Sequence, residues 1–506
     1  MTLTQILINH GYLPSELPPP FSTENYAANL EKLPKNLDAI GPRSSRCAYH
    51  SIPRHQHLRR LLGIPNPLHQ LKLVVLIDRH WLEIEKHMQQ SPLSLTRLKV
   101  NPDPPRALSK VGDFDVLDTE RVLRSSASRF LLRADLSRFY HTLYTHSIPW
   151  ALHTKDVAKA NRNNKALIGN LIDEAVRNTQ DQQTMGIPVG PDTSDLISEI
   201  LGVALDLQLT EISPNLSGLR FVDDYYLYFT TRAEAESGLA DLHRVAGHFA
   251  VEINPLKTII RELPEPLQPL WKAELRSRLI RPEQERSDLL AFFSNAFENA
   301  TKYPGNSVLK YAVKQSAGYT VSKDNWQVYE SFLLGSLVSE PNLAPTLATI
   351  LAKYLNEGYT FDFAKLANSC AEVAFYHAKL RQGFEVAWAL WLCRLFKIEM
   401  PERSLKEASL VDDPIVALLS LSLNNAGLAD SLDTSVWAGH MQGDQLYSEN
   451  WLLAYEAYVK GWLPSVDGTD YISADGFFAI LQKNNVEFYD DETLEPAADS
   501  EWIEGY

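Results

Sequence analysis

Cysteine is scarce in this chain. Its 506 residues hold three, Cys47, Cys370 and Cys393, far apart and odd in number. That excludes a disulfide framework and a cysteine zinc site, and it fits a reducing compartment. His50, His55 and His57 cluster, but no carboxylate stands beside them and they are not read as a metal site. Long apolar runs are missing as well, so no stretch of about 18 apolar residues offers a membrane span. The opening Met1–Leu7 has neither the basic start nor the apolar core of a secretion signal, so a cytoplasmic protein without membrane contact is expected. Basic residues are absent after Lys483 while eight acids follow. Residues 484–506 are therefore expected to form a frayed acidic tail.

What is present is core material and an uneven charge. An apolar content of 45% with 10% aromatics suffices for large cores, and this length predicts two or more domains of about 100–200 residues. The net charge of −15 is not shared evenly. Residues 1–282 carry 33 basic and 31 acidic side chains, and residues 283–506 carry 15 and 32. Arg43 to Arg138 alone holds 17 basic against 9 acidic residues. Any polyanion binding is thus expected in the first half, because the second half repels phosphate.

Residues 1–42 are polar and proline-rich, broken by Pro18-Pro19-Pro20, and read as an N-terminal extension. Arg43, Arg46, Arg54, Arg59 and Arg60 follow, then a helical stretch from Leu71 to Arg97. These arginines read either as a solvated face or as contacts to triphosphate or nucleic-acid phosphate, which a guanidinium grips through two oxygens. Phe130 to Ala134 reads as a buried strand ending at Asp135, with Phe139 and Tyr140 on a short helix behind it. Gly186, Pro188, Gly190 and Pro191 shape a loop before a helix over Leu196 to Leu209, capped by Asp192, Thr193 or Ser194. Small residues in such a loop let a substrate approach the backbone. Gly218 to Thr230 predicts a β-hairpin with Asp223 and Asp224 at its tip. Adjacent like charges gain nothing for folding, but a hard divalent cation wants carboxylate oxygens. A helix over Ala233 to Phe249 and a strand over Val251 to Thr258, bearing Lys257 at its end, complete the set.

In this order the four pieces resemble motifs A to D of the reverse-transcriptase palm: Asp135, Gly186 to Ser194, Phe221-Val222-Asp223-Asp224, and Lys257. Ala134 to Tyr140 and Tyr144 to Lys155 are more narrowly similar to the bacterial abortive-infection (AbiK-like) reverse transcriptases of phage defence. Val189 stands where retroviral enzymes have Gln, and Asp195 where many relatives have Pro. The resemblance implies an α+β fold, a fingers–palm core over residues 1–265. It implies Mg²⁺ (or Mn²⁺) on Asp135, Asp223 and Asp224, with Lys257 assisting the leaving pyrophosphate. It implies nucleotide contacts from Arg59, Arg60, Tyr140 and Gly190, with Tyr140 excluding a ribose 2′-hydroxyl.

After a proline-broken linker (266–285), helical stretches at a loose period of roughly 40 over residues 286–483 suggest a HEAT-like all-α array. The implied activity is a metal-dependent DNA polymerase acting on dNTPs in anti-phage defence, with a single-stranded DNA product and a homotrimer or homohexamer. Residues 263–282 supply four basic side chains before the acidic array, a weak grip for a product duplex. Template-independent synthesis primed on a tyrosine, with Tyr12, Tyr26 and Tyr506 as candidates, is therefore one reading. A templated RNA-directed polymerase is another, and a degenerate palm serving as an RNA-binding or assembly module is a third.

Overall fold

A computed structural model describes residues 1–54 and 58–493; His55, His57 and Tyr506 lie outside them. The chain divides into two compact units that interleave along the sequence. The first comprises Met1–Pro14, Thr23–Cys47 and Gly63–Leu267. The second comprises Ser15–Ser22, Ala48–Leu62 and the chain from Gln268 onward. Eight strands occur among the described residues: β1 (Ala48–Pro53), β2 (Arg59–Ile64), β3 (Leu98–Val100), β4 (Leu108–Lys110), β5 (Phe130–Asp135), β6 (Ser217–Phe221), β7 (Asp224–Phe229) and β8 (Ile259–Glu262).

The first unit is built on a four-stranded antiparallel sheet in the order β6-β7-β5-β8. Alternation along β5 and β7 divides the side chains between two faces. Tyr225, Leu227 and Phe229 point to one face. There the Tyr225 hydroxyl donates to Asp206 Oδ1 at 2.8 Å, on the long helix Asp192–Ile212. Helix Arg232–His248 packs on the same side, where Gly238 leaves room for the Phe229 ring. On the other face Leu131, Leu219, Tyr226 and Tyr228 form a cluster with Leu117 of helix Phe114–Ser125. The N-terminal extension is ordered, contrary to its composition: Leu3–His10 is a helix with a Thr2–Gln5 capping box, and Ile6, Leu7 and Ile8 are buried.

Two other sequence expectations fail here. Helix does not run through Leu71 to Arg97; it covers Pro67–Arg79 and Trp81–Met88 and stops there. Residues 251–258 form no strand, because Asn254-Pro255 turns the chain. Only Ile253 bridges to Leu136, and β8 begins after Lys257.

The second unit is helical, in two rows. One row contains Glu285–Lys302, Trp326–Ser339, Phe363–Lys379 and Glu402–Ala408, and the other Val308–Ala317, Ala344–Asn356, Gly383–Phe396, Pro414–Asn425 and Trp451–Val459. Successive helices within each row pack on one another, and the first four of each row also pack on a partner across it. Aromatic rings fill the space between them: Phe293 stacks on Phe332 at 4.5 Å, and Trp326 meets Tyr354 at 4.5 Å. The 266–285 stretch is not a bare linker. It contains helix Leu270–Ser277, whose Trp271 and Leu275 are buried. Nor is the described start of the tail frayed: Val486, Phe488 and Tyr489 are buried, and the Phe488 N–H donates to Glu456 Oε1 at 2.6 Å. The rest of the tail, residues 494–506, lies outside the described residues.

β1 and the start of β2, as far as Leu62, belong to this helical unit. His50 Nδ1 meets Asp413 Oδ2 at 2.8 Å, fully buried, and Asp413 also caps helix Pro414–Asn425. Gly383 is required there, since a Cβ would strike the Asp413 carboxylate. Trp388 Nε1 donates to the carbonyl of Glu16 at 3.1 Å, which ties down Ser15–Ser22 in the same way.

Candidate active site

The sheet register brings the three predicted aspartates to one end. Asp135, last in β5, lies directly opposite Asp224, first in β7. Phe221 pairs with Asp224 across a two-residue turn, Val222-Asp223, so Asp223 sits at the tip. The Leu136 N–H donates to the Asp223 carbonyl at 3.0 Å, closing the end of the β5–β7 pair.

The turn is strained and held. Val222 has φ of 55°, a region that β-branched residues avoid at a cost of about 1–3 kcal/mol. Its N–H donates to Thr96 Oγ1 at 3.1 Å, and its carbonyl accepts from Arg220 Nη1 at 2.9 Å. Arg220 is itself fully buried between Glu199 and Asp206 of the long helix, with contacts of 2.9 to 3.2 Å. Gly202 makes the space: a Cβ there would lie 2.6 Å from the guanidinium carbon. Ser91 and Ser94 donate to the two carboxylates at 2.6 Å each. Sequence reading missed this network, since Arg220 looks like one more polar residue in a strand. Two acids two turns apart on one helical face, Glu199 and Asp206, bracketing the apolar run Ile200–Leu205, were the available signal.

The carboxylates are poorly neutralised. Burial first, then the charges of Asp224 and Asp135, push the Asp223 carboxyl up to about 6. Burial also raises Asp224, opposed by the Arg133 guanidinium 3.6 Å away and reinforced by Asp135. Asp224 Oδ1 is buried without a hydrogen-bond partner. Asp135 is better served, accepting from Asn254 Nδ2 at 2.9 Å and from Lys257 Nζ at 2.7 Å. Lys257 thus reaches the site from a turn rather than from a strand end, and its side chain is half exposed.

The donor chemistry suits a hard divalent cation: three carboxylates, two of them raised by burial and mutual repulsion. A ready-made cage is not present, because among the described residues no group of three or more His, Cys, Asp or Glu side chains stands together as metal ligands. The two oxygens of Asp135 face Lys257 and Asn254 instead.

Tyr140 stands beside this end of the sheet. Its carbonyl accepts from the Ile187 N–H at 2.8 Å, and its hydroxyl donates to Asp195 Oδ1 at 2.7 Å. The loop from Gly186 to Pro191 is thereby attached to the helix that follows β5. Gly190, expected to admit a nucleotide, instead admits the chain itself. It has φ of 126°, and a Cβ would lie 2.5 Å from Pro14 Cγ. Its carbonyl accepts from Arg106, which also pairs with the buried Asp192.

Four further predicted residues remain. Arg59 and Arg60 belong to the helical unit. There Arg59 forks onto Glu385, with Nη2 to Oε2 at 2.8 Å, and onto Ser51, so its donors are committed. Tyr12 and Tyr26 are fully buried, and their hydroxyls donate to the carbonyls of Pro65 and Pro67 at 2.5 and 3.0 Å. Burial holds both hydroxyls well above the usual tyrosine range. As placed, neither can present a nucleophile.

No protein-family model matches the sequence, and no curated protein matches it. Among solved structures the chain is similar to apo telomerase from Candida tropicalis at a TM-score of 0.32 and 11% identity, over 64% of this chain and 68% of that one. A likeness of that size carries no argument.

Proposed function

We propose that this chain is a nucleotidyltransferase of the reverse-transcriptase type, a divalent-metal-dependent DNA polymerase that uses dNTPs and serves anti-phage defence. The observation that carries the reading is Asp135 in register with Asp224, with Asp223 in a strained, braced turn between β6 and β7. The order of the four sequence motifs supports it, and the defence role rests on residues 134–155 alone. Mg²⁺ or Mn²⁺, when bound, activates an attacking 3′-oxygen and stabilises departing pyrophosphate.

The chain's own residues divide the remaining work. The three aspartates supply the oxygen donors, and the Val222 turn holds two of them without freedom to swing. Lys257, half exposed on a turn, can exchange Asp135 for a phosphate oxygen of the substrate. Arg133 stands over the Tyr226 ring at 5.4 Å and balances Asp224. Tyr140 offers an aromatic wall against a 2′-hydroxyl. The two-row helical array reads as HEAT-like, a scaffold for a ring-shaped homotrimer or homohexamer. Priming on Tyr12 or Tyr26 finds no support in their burial.

The test is incorporation of each labelled dNTP by the purified chain with Mg²⁺ or Mn²⁺, with and without an RNA template. Asp223→Asn combined with Asp224→Asn should lower incorporation by about 10³ or more while the chain stays folded. Near-normal incorporation by this variant would sink the assignment. A second reading, a non-catalytic RNA-binding or assembly module, is favoured by one observation: both Asp135 oxygens are already occupied. It predicts no incorporation by the natural chain and equal RNA binding by the double variant.

A further inference from the structure

Two of the contacts around Tyr140 do more than fill space. The residue is pinned at both ends to one continuous stretch of chain, a loop and the helix that follows it. Its carbonyl accepts from Ile187 in the Gly186–Pro191 loop, and its hydroxyl donates to Asp195 in the first turn of helix Asp192–Ile212. Ser198, one turn further along, places its Oγ 3.2 Å from the same hydroxyl and donates to the Asp195 carbonyl at 2.8 Å. The Ser198 proton is therefore spent on that carbonyl, and the Tyr140 proton goes to the Asp195 carboxylate, the stronger acceptor. A carboxylate in the first turn of a helix is itself favoured by the helix dipole. Burial, then the Asp195 charge, and to a smaller degree Asp223, hold the Tyr140 hydroxyl well above the usual tyrosine range, so it stays a donor. Phe139 backs the ring edge-on at 6.3 Å.

We propose that Asp195 is a positioning residue for sugar selection: it locks the Tyr140 ring so that the ring rejects a ribose 2′-hydroxyl. The inference rests on the polymerase reading above. A steric wall discriminates only if it does not yield. A tyrosine side chain turns about two dihedrals, so a ring anchored only at its backbone can swing aside. The charge-assisted bond at the far end removes that freedom. Proline, expected at position 195 from the sequence resemblance, has no side-chain acceptor and cannot make this bond. The lock is thus a property of this chain's own residue.

The experiment compares kcat/KM for a dNTP and its matching rNTP in the natural chain and in three variants. Asp195→Ala and Tyr140→Phe each remove the bond and keep the ring. Both should lower the dNTP:rNTP ratio by roughly 10-fold, the worth of one hydrogen bond to a charged group, mainly by raising rNTP use. Asp195→Asn keeps an acceptor and should stay near the natural ratio. An unchanged ratio in both Asp195→Ala and Tyr140→Phe overturns the proposal. An equal loss of dNTP and rNTP efficiency also overturns it, since that marks a merely structural role. Tyr140→Phe serves as the check if Asp195→Ala does not fold. A natural chain that incorporates neither nucleotide overturns the polymerase reading itself and this inference with it, a result distinct from the other two.

Discussion

Burial and the neighbouring carboxylates push Asp223 up to about 6 in the fold, from an ordinary aspartate value of about 4, which links it to stability. A carboxyl raised on folding binds more protons folded than unfolded between those two values. Stability therefore falls as pH rises from about 4 to about 6 and stays lower above it. Two pH units correspond to roughly 3 kcal/mol at most. Asp223→Asn should thus be more stable than the natural chain at pH 8, with the difference vanishing near pH 4, as thermal melts at both values would show. A difference equally large at pH 4 would mean that charge is not the cause. Added Mg²⁺ or Mn²⁺ should raise the melting temperature of the natural chain more than that of the variant, because the cation relieves the same repulsion. Stability given up at Asp223 and Asp224 is the kind of local cost a cation site accounts for.

At the scale of elements, the β6–β7 turn carries its own cost. Val222→Gly relieves the positive φ and should leave stability unchanged or raise it by about 1 kcal/mol, read from the denaturant midpoint. A loss of more than about 1 kcal/mol would show that the valine side chain's packing outweighs the strain. The same turn shows what sequence makes legible. The strand ending at Asp135, the Asp-Asp hairpin and the helices flanking them follow from apolar runs and breakers, because local pattern and tertiary burial agree there. Residues 251–258 misled for the opposite reason: Val251 and Ile253 alternate like a strand, but Asn254-Pro255 turns the chain and delivers Lys257 to Asp135 from a loop. Arg59, Tyr12 and Tyr26 misled because their partners, Glu385 and the carbonyls of Pro65 and Pro67, are set by long-range packing that no local window contains. Gly190 was rightly read as allowing close approach, yet the approaching group is Pro14.

At the scale of the whole molecule, the chain passes between units at 14/15, 22/23, 47/48, 62/63 and 267/268. The proline-rich segment after β8 therefore marks no clean cut. A fragment ending at residue 267 keeps β1 and β2 but loses Asp413 and Glu385, leaving His50 without its hydrogen-bond partner and Arg59 without its carboxylate. Neither this fragment nor residues 268–506 should show a cooperative melt alone, whereas co-expression should restore one; a cooperative melt by either fragment would contradict this. The interleaving also has a consequence in time. Arg59 leaves the ribosome 326 residues before Glu385, and at about 5–20 residues per second that interval lasts roughly 16–65 s. Throughout it β1 is synthesised but the helices Gly383–Phe396 and Pro414–Asn425 on which it packs are not. Premature termination between residues 225 and 412 yields a chain that already carries Asp135, Asp223 and Asp224 yet lacks Asp413, so its second unit stays unfinished around a hairpin made near the start.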